Sequence, residues 1–587
     1  MDYIKLKGIG VSPGIALGEL FLTESIIFTS RKENISQAQV GEETERLKKA
    51  IMLTKEQLIQ IKDEIKKKMG EEHSFIFDAH ILILEDKSLL ESLENMIKKE
   101  KVRAEWTLSQ ANNKYKKVFE SINDEYLGQR MSDVSDVLSR IYRNLEAKTQ
   151  KNLAPSQERV LVAHELLPSE AALRFSQGNV LAVAMDMGGQ TSHTAILARS
   201  LSIPAVVGLH NITERVKNGD YLIVDGTDGE VIINPPPAIK KEFVSKKRKY
   251  DDYRKELTKT AKLSSLTLDK VKFFPMANIE LPEEVSLAFS MGAEGIGLFR
   301  SEYLYLQSAS LPREEEHLAV YSRIAQEAYP CPVYIRTIDI GGEKTLPQFK
   351  IEKEPNPALG LRAIRFSLRN RDMFKVQLRA ILKASHLKNV RVLIPMITEV
   401  EEVEEVKIIL EEIKGELKRE KVKFDENIPL GVMIEVPAAA AIIDILAKDV
   451  DYISIGTNDL IQYYLAVDRS NEFVSYLYKP LHPSVMRLIK FIIDRTEKAG
   501  KVVTVCGEMA ADPLAAIVLF GFGLRTFSMN PIFIPRIKKV LRSIDSRFVE
   551  KVVHQAMNLK TAQEIEEYII EKILVKHPMA FLIRGAQ

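Results

Sequence analysis

The sequence has few cysteines and no long apolar run. Only Cys331 and Cys506 are present among 587 residues, which excludes a disulfide framework and a cysteine-based zinc site and fits a reducing compartment. No stretch approaches the roughly 20 apolar residues of a membrane-spanning helix, and residues 1–8 lack the apolar core of a signal peptide. The 83 basic and 81 acidic side chains nearly cancel, so no overall field favours nucleic acid or an anionic membrane. We expect a cytoplasmic protein with no nucleic-acid partner and no membrane insertion.

The length of the chain and the changes in residue pattern along it predict a multidomain protein, since 587 residues are too many for a single hydrophobic core. Residues 26–148 place apolar residues at helical spacing within charged segments, which predicts a helical bundle. Residues 149–235 alternate short β-rich runs with helices and predict an α/β layer, to which the β segment in residues 1–25 is expected to return. Residues 236–263, highly charged after a run of prolines, predict a helical linker.

The pattern becomes regular over residues 264–587. Eight apolar strands separated by helical segments predict a (β/α)8 TIM barrel. The predicted fold class is therefore multidomain α/β, with an α/β domain interrupted by a helical bundle and followed by the barrel. The predicted strands are 273–279, 295–300, 333–339, 390–397, 430–436, 452–459, 502–509 and 525–529.

One histidine lies where a glycine-rich turn gives way to a helix. Residues 188–193 follow an apolar run, and Thr191 is expected to cap the helix, which brings His193 beside the positive end of the helix dipole. That field disfavours the imidazolium, keeps a nucleophilic nitrogen free, and favours a bound phosphoryl group. The competing interpretation is an ordinary capped helix in which the histidine at the turn has no chemical role.

Polar side chains collect where the predicted barrel strands end, and TIM-barrel active sites lie at those ends. Any single charge at a strand end is more often a cap or a structural ion pair, but the convergence of so many on one rim indicates a site. These rim residues are Arg300, Arg336, Asp339, Glu435, Asn458, Asp459, Arg469 and Cys506.

The residue types on the rim indicate the chemistry. Glu435 and Asp459 are hard oxygen ligands with no accompanying histidine or thiolate pair, which favours Mg²⁺, although nearby arginines would satisfy the same acids. Three arginines exceed what two acids need and predict a small substrate that carries phosphate and carboxylate groups. Cys506 is either an apolar filler or a group that takes part in proton transfer.

An ordered set of motifs resembles the Enzyme I family of the bacterial phosphotransferase system over nearly the whole chain. A lone Thr-Ser-His would be weak evidence, whereas six motifs in the family's order are specific. The motifs lie at residues 12–16, 189–194, 292–298, 336–342, 356–365 and 454–460.

The resemblance implies a reaction and a set of roles. His193 would take the phosphoryl group of phosphoenolpyruvate on Nε2 and pass it to a histidine of the phosphocarrier protein HPr, which starts sugar uptake and phosphorylation. Glu435 and Asp459 would hold Mg²⁺, and Cys506 would protonate the enolate to give pyruvate. Lys344 and Arg362 are further candidates to assist. The implied phosphoenolpyruvate contacts are Arg300, Arg336, Asn458, Asp459 and Arg469.

The resemblance also implies partners and movement. HPr would dock on the helical bundle, where residues 71–73, 80–82 and Glu85 are similar to the family's docking surface. Because one histidine must visit two places, the α/β domain is expected to swivel about residues 235–263. The barrels are expected to pair into a homodimer.

Two departures and three alternatives accompany this interpretation. Gln190 stands where some members have arginine, and Ala171 where some have threonine, which is expected to alter phosphohistidine lifetime. A pyruvate-phosphate dikinase or phosphoenolpyruvate synthase would need a nucleotide-binding domain, and no Walker loop precedes His193. The nitrogen-linked relative of Enzyme I, called here the nitrogen-branch paralogue, would carry a sensory domain ahead of Ser12, and Ser12 lies near the start of the sequence. A catalytically silent binding protein would not need the complete rim set.

Overall fold

The computed structural model divides the chain into two compact units, Met1–Tyr253 and Arg254–Leu582, called here the N-terminal unit and the barrel unit. None of the helices described is both long and apolar enough to cross a bilayer. The structure describes residues 3–23, 32–69, 75–120, 125–146, 158–176, 178–189, 192–306, 310–341, 354–469, 471 and 473–576.

The N-terminal unit contains an eight-stranded mixed sheet in the order β1-β8-β7-β3-β4-β5-β6-β2. The first three strands return to this sheet as predicted, because β2 pairs antiparallel with β6, and β3 lies between β7 and β4. The strands are β1 (Ile4–Lys7), β2 (Ile9–Ser12), β3 (Ile15–Leu22), β4 (Arg159–Ala163), β5 (Val180–Met185), β6 (Ala205–Val207), β7 (Tyr221–Asp225) and β8 (Glu230–Ile233).

Helices of this unit form the predicted bundle and flank the sheet. The apolar residues at helical spacing on the first helix are buried, as at Leu47, Leu58 and Ile61. The predicted linker contains one long helix, which begins in this unit and ends beyond Tyr253, and its Phe243 is buried against the sheet. The helices are α1 (Val40–Met69), α2 (Phe75–Glu85), α3 (Lys87–Glu100), α4 (Ala104–Glu120), α5 (Glu125–Leu145), α6 (Pro168–Ser176), α7 (His193–Ser200), α8 (Ile212–Arg215) and α9 (Pro237–Ala261).

The barrel unit closes eight parallel strands into a cylinder, which confirms the predicted TIM barrel. Each strand pairs with its neighbour in sequence, and the last returns to pair with the first. The strands are β9 (Phe274–Ile279), β10 (Ile296–Arg300), β11 (Val333–Arg336), β12 (Val390–Ile394), β13 (Leu430–Ile434), β14 (Tyr452–Ile455), β15 (Val502–Val505) and β16 (Thr526–Met529).

Helices pack around the cylinder through one continuous apolar core, whereas its interior holds a separate cluster that includes Met433, Tyr452 and Cys506. This cluster fills the barrel beneath its C-terminal rim. The helices are α10 (Glu284–Ser290), α11 (Tyr303–Leu306), α12 (Glu314–Ala328), α13 (Ala363–Arg369), α14 (Arg371–Ala384), α15 (Val400–Arg419), α16 (Pro437–Ala441), α17 (Ile443–Asp449), α18 (Thr457–Leu465), α19 (Pro483–Lys498), α20 (Pro513–Gly521), α21 (Ile534–Arg542), α22 (Ser546–Ala556) and α23 (Ala562–Lys576).

Several strands end earlier than the apolar pattern predicts. Strand β11 stops at Arg336, although Ile338 and Ile340 beyond it are buried against Tyr305 and so extend the apolar pattern. Asn458 does not end a strand, because β14 stops at Ile455 and the next helix has already begun. Arg300 and Arg336 are the last residues of β10 and β11, whereas the other rim residues lie on loops and first helical turns beyond the hydrogen-bonded ladder.

Candidate active site

One cavity of about 860 Å³ lies at the C-terminal rim of the barrel. Its walls come from residues that lie on or after five different strands, so the closure of the barrel brings distant parts of the sequence together. All of the barrel residues predicted as site residues line this one cavity: Arg300, Arg336, Glu435, Asn458, Asp459, Arg469 and Cys506.

Acids and arginines alternate across the floor of this cavity. The buried Arg336 donates through Nη2 to Glu302 Oε1 at 2.6 Å, and its Nη1 lies 3.1 Å from Asp339 Oδ2. Arg362 Nη2 donates to Asp339 Oδ1 and to Asp459 Oδ2, each at 3.0 Å. Shared partners of opposite charge hold each side chain in one orientation.

The acids decide the charge state of these arginines. Burial disfavours the charged form of Arg336, but Glu302, Asp339 and Glu435 outweigh burial and raise its pKa. Burial opposes the charge of Arg362 in the same way, and its acidic neighbours raise its pKa too. Both guanidinium groups are therefore permanently positive and preoriented, which suits the binding of an anion.

Glu435 is the most constrained acid of the rim. Its carboxylate is buried, and Oε1 accepts the Met396 N–H at 2.7 Å. Burial, together with the negative charges of Asp459 and Asp339, raises its pKa well above the usual value for a glutamate. A β-carbon at Gly456 would lie 2.6 Å from Glu435 Oε2, so glycine alone leaves room for this carboxylate. Such crowding of negative charge is what a divalent cation relieves.

Cys506 follows strand β15 and lies between the apolar barrel interior and the cavity. Ser454 Oγ donates to Sγ at 3.4 Å, and Sγ lies 3.6 Å from the Ile455 carbonyl oxygen. Burial raises the pKa of the thiol to about 11, even though the Ser454 hydrogen bond acts in the other direction. The group is consequently a protonated thiol at neutral pH, able to donate a proton.

Three more rim residues form a hydrogen-bonded group beside the thiol. Glu508 Oε1 accepts from Asn458 Nδ2 at 3.0 Å and from Arg469 Nη1 at 3.2 Å. A β-carbon at Gly507 would lie only 1.8 Å from Thr457 Oγ1, which restricts the position before Glu508 to glycine. Arg469 is partly exposed, and so is Arg300, which pairs with a glutamate elsewhere on the rim. These two arginines remain accessible to an incoming anion.

Helix α7 begins at His193 in the N-terminal unit. The predicted cap is wrong, because Ser192 rather than Thr191 occupies the cap position and its Oγ accepts the Ala195 N–H at 3.3 Å. Either hydroxyl suits a cap, and the helix starts one residue later than Thr191 would require. Gln190 and Thr191 lie outside the described residues, as does the His193 side chain. The main chain places His193 at the first helical position, beside amides that have no intrahelical partner.

Known proteins similar to this chain indicate its family. The chain matches the PEP-utilising enzyme families described as N-terminal over residues 7–130, mobile domain over 155–229 and PEP-binding domain over 254–546. Phosphoenolpyruvate-protein phosphotransferases of Bacillus sp. (strain S) and Geobacillus stearothermophilus are 40% and 41% identical to it over 565 residues. These alignments cover 96% of this chain and 97% of each relative. The Haemophilus influenzae protein of the same name is 41% identical over 97% of this chain and 99% of its own.

The chain belongs to the phosphoenolpyruvate-protein phosphotransferase family. The resemblance seen in its motifs is thereby confirmed, and the chain is an enzyme that uses phosphoenolpyruvate for phosphoryl transfer. The shared name of relatives that match nearly end to end favours this assignment over the dikinase alternative.

The phosphotransferase rim contains residues that sequence reasoning missed or ranked low. Arg362 was a secondary candidate although it contacts two rim acids, and its position in the motif at 356–365 is the signal that was available. Asn278 was not predicted, yet its Nδ2 donates to the Cys506 carbonyl oxygen at 2.8 Å. Tyr463 follows Asp459 by one helical turn and accepts from Arg362 at 2.9 Å. Lys344 lies outside the described residues.

A second histidine near the phosphotransferase's His193 turn was also missed. His164, half-exposed after strand β4, places Nδ1 3.1 Å from Asp186 Oδ2. Thr194 Oγ1 donates to the Leu166 carbonyl oxygen, which joins the start of α7 to the same loop. The sequence alone gave no spacing that linked His164 to Asp186, since they follow separate strands.

The predicted docking segment needs a correction. His80 is fully buried, with Nε2 3.2 Å from Asp133 Oδ1, and is not available to a partner. It shares the buried face of α2 with Phe77 and Leu84, at the spacing of an amphipathic helix. Leu82 on the opposite face is 67% exposed. Residues 71–73 lie outside the described residues.

Proposed function

We propose that phosphoenolpyruvate phosphorylates His193 in a Mg²⁺-dependent reaction and that the phosphoryl group then passes to a histidine of HPr, starting sugar uptake. The observation that carries the proposal is the convergence of arginines, acids and a protonated thiol on one cavity. Membership of the phosphoenolpyruvate-protein phosphotransferase family supports the same donor.

Phosphoenolpyruvate would bind through its two anionic groups. Arg336 is buried and fixed by two acids, so it would meet the substrate without losing further side-chain freedom. Arg300 and Arg469 are partly exposed and would turn from single acids to the incoming anion. Asn458 and Asp459, in the first turn of α18, complete the proposed contacts.

Glu435 and Asp459 would hold the Mg²⁺ ion. The negative charge crowded around the buried Glu435 fits a cation, and both groups are hard oxygen ligands. Within the described ranges no three histidine, cysteine or acidic side chains cluster for a metal, which suits an ion that takes its other ligands from water and substrate. When bound, the ion would neutralise charge on the phosphate and the developing enolate.

The proposed reaction consists of one phosphoryl transfer and one proton transfer. Nε2 of His193 attacks phosphorus as the bond from phosphorus to the enolate oxygen breaks. Sγ of Cys506 gives its proton to the enolate carbon, which yields pyruvate, and solvent restores the thiol. The raised thiol pKa of about 11 supports this role, because the proton is present at neutral pH. The first-turn amides of α7 would favour both a neutral imidazole and its phosphorylated form.

We infer that HPr docks on α1 and α2. Met52 on α1 is 61% exposed, and Ile59, two helical turns further along the same helix, is exposed as well. Leu82 is exposed on α2. Lys55 Nζ donates to Glu85 Oε1 at 2.6 Å and borders these apolar side chains. An apolar patch with a charged border is typical of a protein interface. Pairing of the barrels, a swivel about residues 235–263 and a cytoplasmic location remain parts of this proposal.

Mass spectrometry of the intact chain tests both half-reactions. Incubation with phosphoenolpyruvate and Mg²⁺ should add one acid-labile phosphate, and added HPr should remove it. Offering the nitrogen-branch carrier in place of HPr separates the two branches, since faster transfer to that carrier would favour the nitrogen-branch alternative. Absence of any phosphate gain would refute the proposal.

A further inference from the structure

A buried glutamine outside the cavity contacts the loop that follows Arg336 at the end of β11. Gln377 on α14 is fully buried, and its Oε1 accepts the Ile338 N–H at 3.0 Å. Its Nε2 donates at 2.9 Å to Ser301 Oγ, which in turn donates to the Arg336 carbonyl oxygen at 2.8 Å. One side-chain amide thus holds the two peptide groups on either side of Thr337.

We propose that Gln377 is a positioning residue for phosphoenolpyruvate binding, acting through the backbone that fixes Arg336. The inference rests on the proposed function, which assigns Arg336 to the substrate. Gln377 does not line the cavity, so any effect on substrate must pass through Arg336 and its neighbours.

A second set of hydrogen bonds fixes the orientation of the amide. Gln377 Nε2 also donates to Tyr321 OH at 3.1 Å, and Tyr321 OH lies 2.9 Å from Nδ1 of the buried His317. Burial lowers the pKa of His317 to about 4, so its imidazole is neutral and Nδ1 can accept the tyrosine proton. A flipped amide would turn a donor toward the Ile338 N–H and lose the interaction with both hydroxyls.

The end of β11 and the loop after it carry two charged groups of the cavity floor. Arg336 and Asp339 flank the held peptides and lie 3.1 Å apart through Nη1 and Oδ2. Glu302 also holds this loop, because its Oε1 accepts both Arg336 Nη2–H and the Asp339 N–H. A loop displaced by about 1 Å would misalign the guanidinium with a bound anion, and displacements of that size lower enzyme efficiency by up to about a hundredfold.

The test compares three variants of the full-length chain. Gln377→Met keeps the side-chain length but removes all the hydrogen bonds of the amide. Ser301→Ala breaks the link to the Arg336 carbonyl and the Gln377 Nε2–Ser301 Oγ hydrogen bond, but leaves the bond from the Ile338 N–H to Gln377 Oε1. Asn389→Leu is the matched control, since Asn389 is buried in the same unit, donates to the carbonyls of Ala325 and Cys331, and does not line the cavity.

Steady-state KM and kcat, with phosphoenolpyruvate and HPr varied in turn, give the readout, together with the thermal midpoint Tm. Gln377→Met should raise KM for phosphoenolpyruvate by about ten to a hundredfold, and Ser301→Ala by less, with KM for HPr unchanged. Asn389→Leu should lower Tm comparably and leave both KM values within about twofold.

An unchanged KM for phosphoenolpyruvate in both Gln377→Met and Ser301→Ala would overturn the inference, as would an equal rise in the Asn389→Leu control. If Gln377→Met does not fold, the Ser301→Ala variant decides. Failure of the wild-type chain to accept phosphate from phosphoenolpyruvate would instead overturn the proposed function.

Discussion

Replacing Cys506 by serine separates the packing of this side chain from its chemistry. The serine hydroxyl is close in size to the thiol and would meet the same two neighbours, Ser454 Oγ and the Ile455 carbonyl oxygen. The free energy of unfolding should therefore change by only about 1 kcal/mol. The hydroxyl is a far weaker acid than the thiol and cannot supply the proton that the enolate needs.

The expected loss is kinetic. Removing a general acid lowers a rate by roughly a hundred to ten thousandfold, which corresponds to about 2.7–5.5 kcal/mol of transition-state stabilisation. Pyruvate formation, followed by a coupled assay or by nuclear magnetic resonance, should slow by this factor in Cys506→Ser. Transfer from phosphorylated enzyme to HPr should keep its rate, because that step uses no enolate.

The pH profile supplies a second readout. Since the pKa of the Cys506 thiol is raised to about 11, its acid form persists through neutral and mildly alkaline pH. Its contribution is present below that value and is lost as pH rises through about 11. Wild-type rates of pyruvate formation in Cys506→Ser, or a wild-type limb assigned to this thiol near pH 8, would refute the reasoning.

Three other predictions address stability, metal binding and docking. Glu302→Gln removes the charge from a buried ion pair and should lower the free energy of unfolding by about 3 kcal/mol; an unchanged urea midpoint would contradict this. Gly456→Ala places a β-carbon 2.6 Å from Glu435 Oε2 and should raise the Mg²⁺ concentration for half-maximal rate by about tenfold. Met52→Asp should raise KM for HPr about tenfold and leave labelling by phosphoenolpyruvate unchanged; equal loss in both assays would point to misfolding instead.

The barrel could be predicted from the sequence because its strands are buried on both faces and read as apolar runs. Rim residues could be predicted for the same reason, since Glu435 and Cys506 each follow the last residue of a strand. Strand ends were less accurate, because Ile338 is buried beyond the ladder and continues the apolar pattern. Burial, rather than hydrogen bonding, is what hydropathy reports.

Contacts between distant segments could not be predicted. Arg362 and Asp459 are 97 residues apart, and Asn278 and Cys506 are 228 apart, so only closure of the barrel brings each pair together. The burial of His80 was missed for another reason, since a histidine is compatible with either face of an amphipathic helix. Local patterns specify elements, whereas the partners of charged side chains depend on the assembled rim.

The central claim is that one imidazole receives the phosphoryl group of phosphoenolpyruvate. The most direct measurement is the stoichiometry of acid-labile phosphate after incubation with labelled phosphoenolpyruvate and Mg²⁺, compared between wild type and His193→Ala. The account predicts one phosphate per wild-type chain, recovered on the peptide that contains His193, and none on the variant. Equal labelling of the two proteins would contradict it.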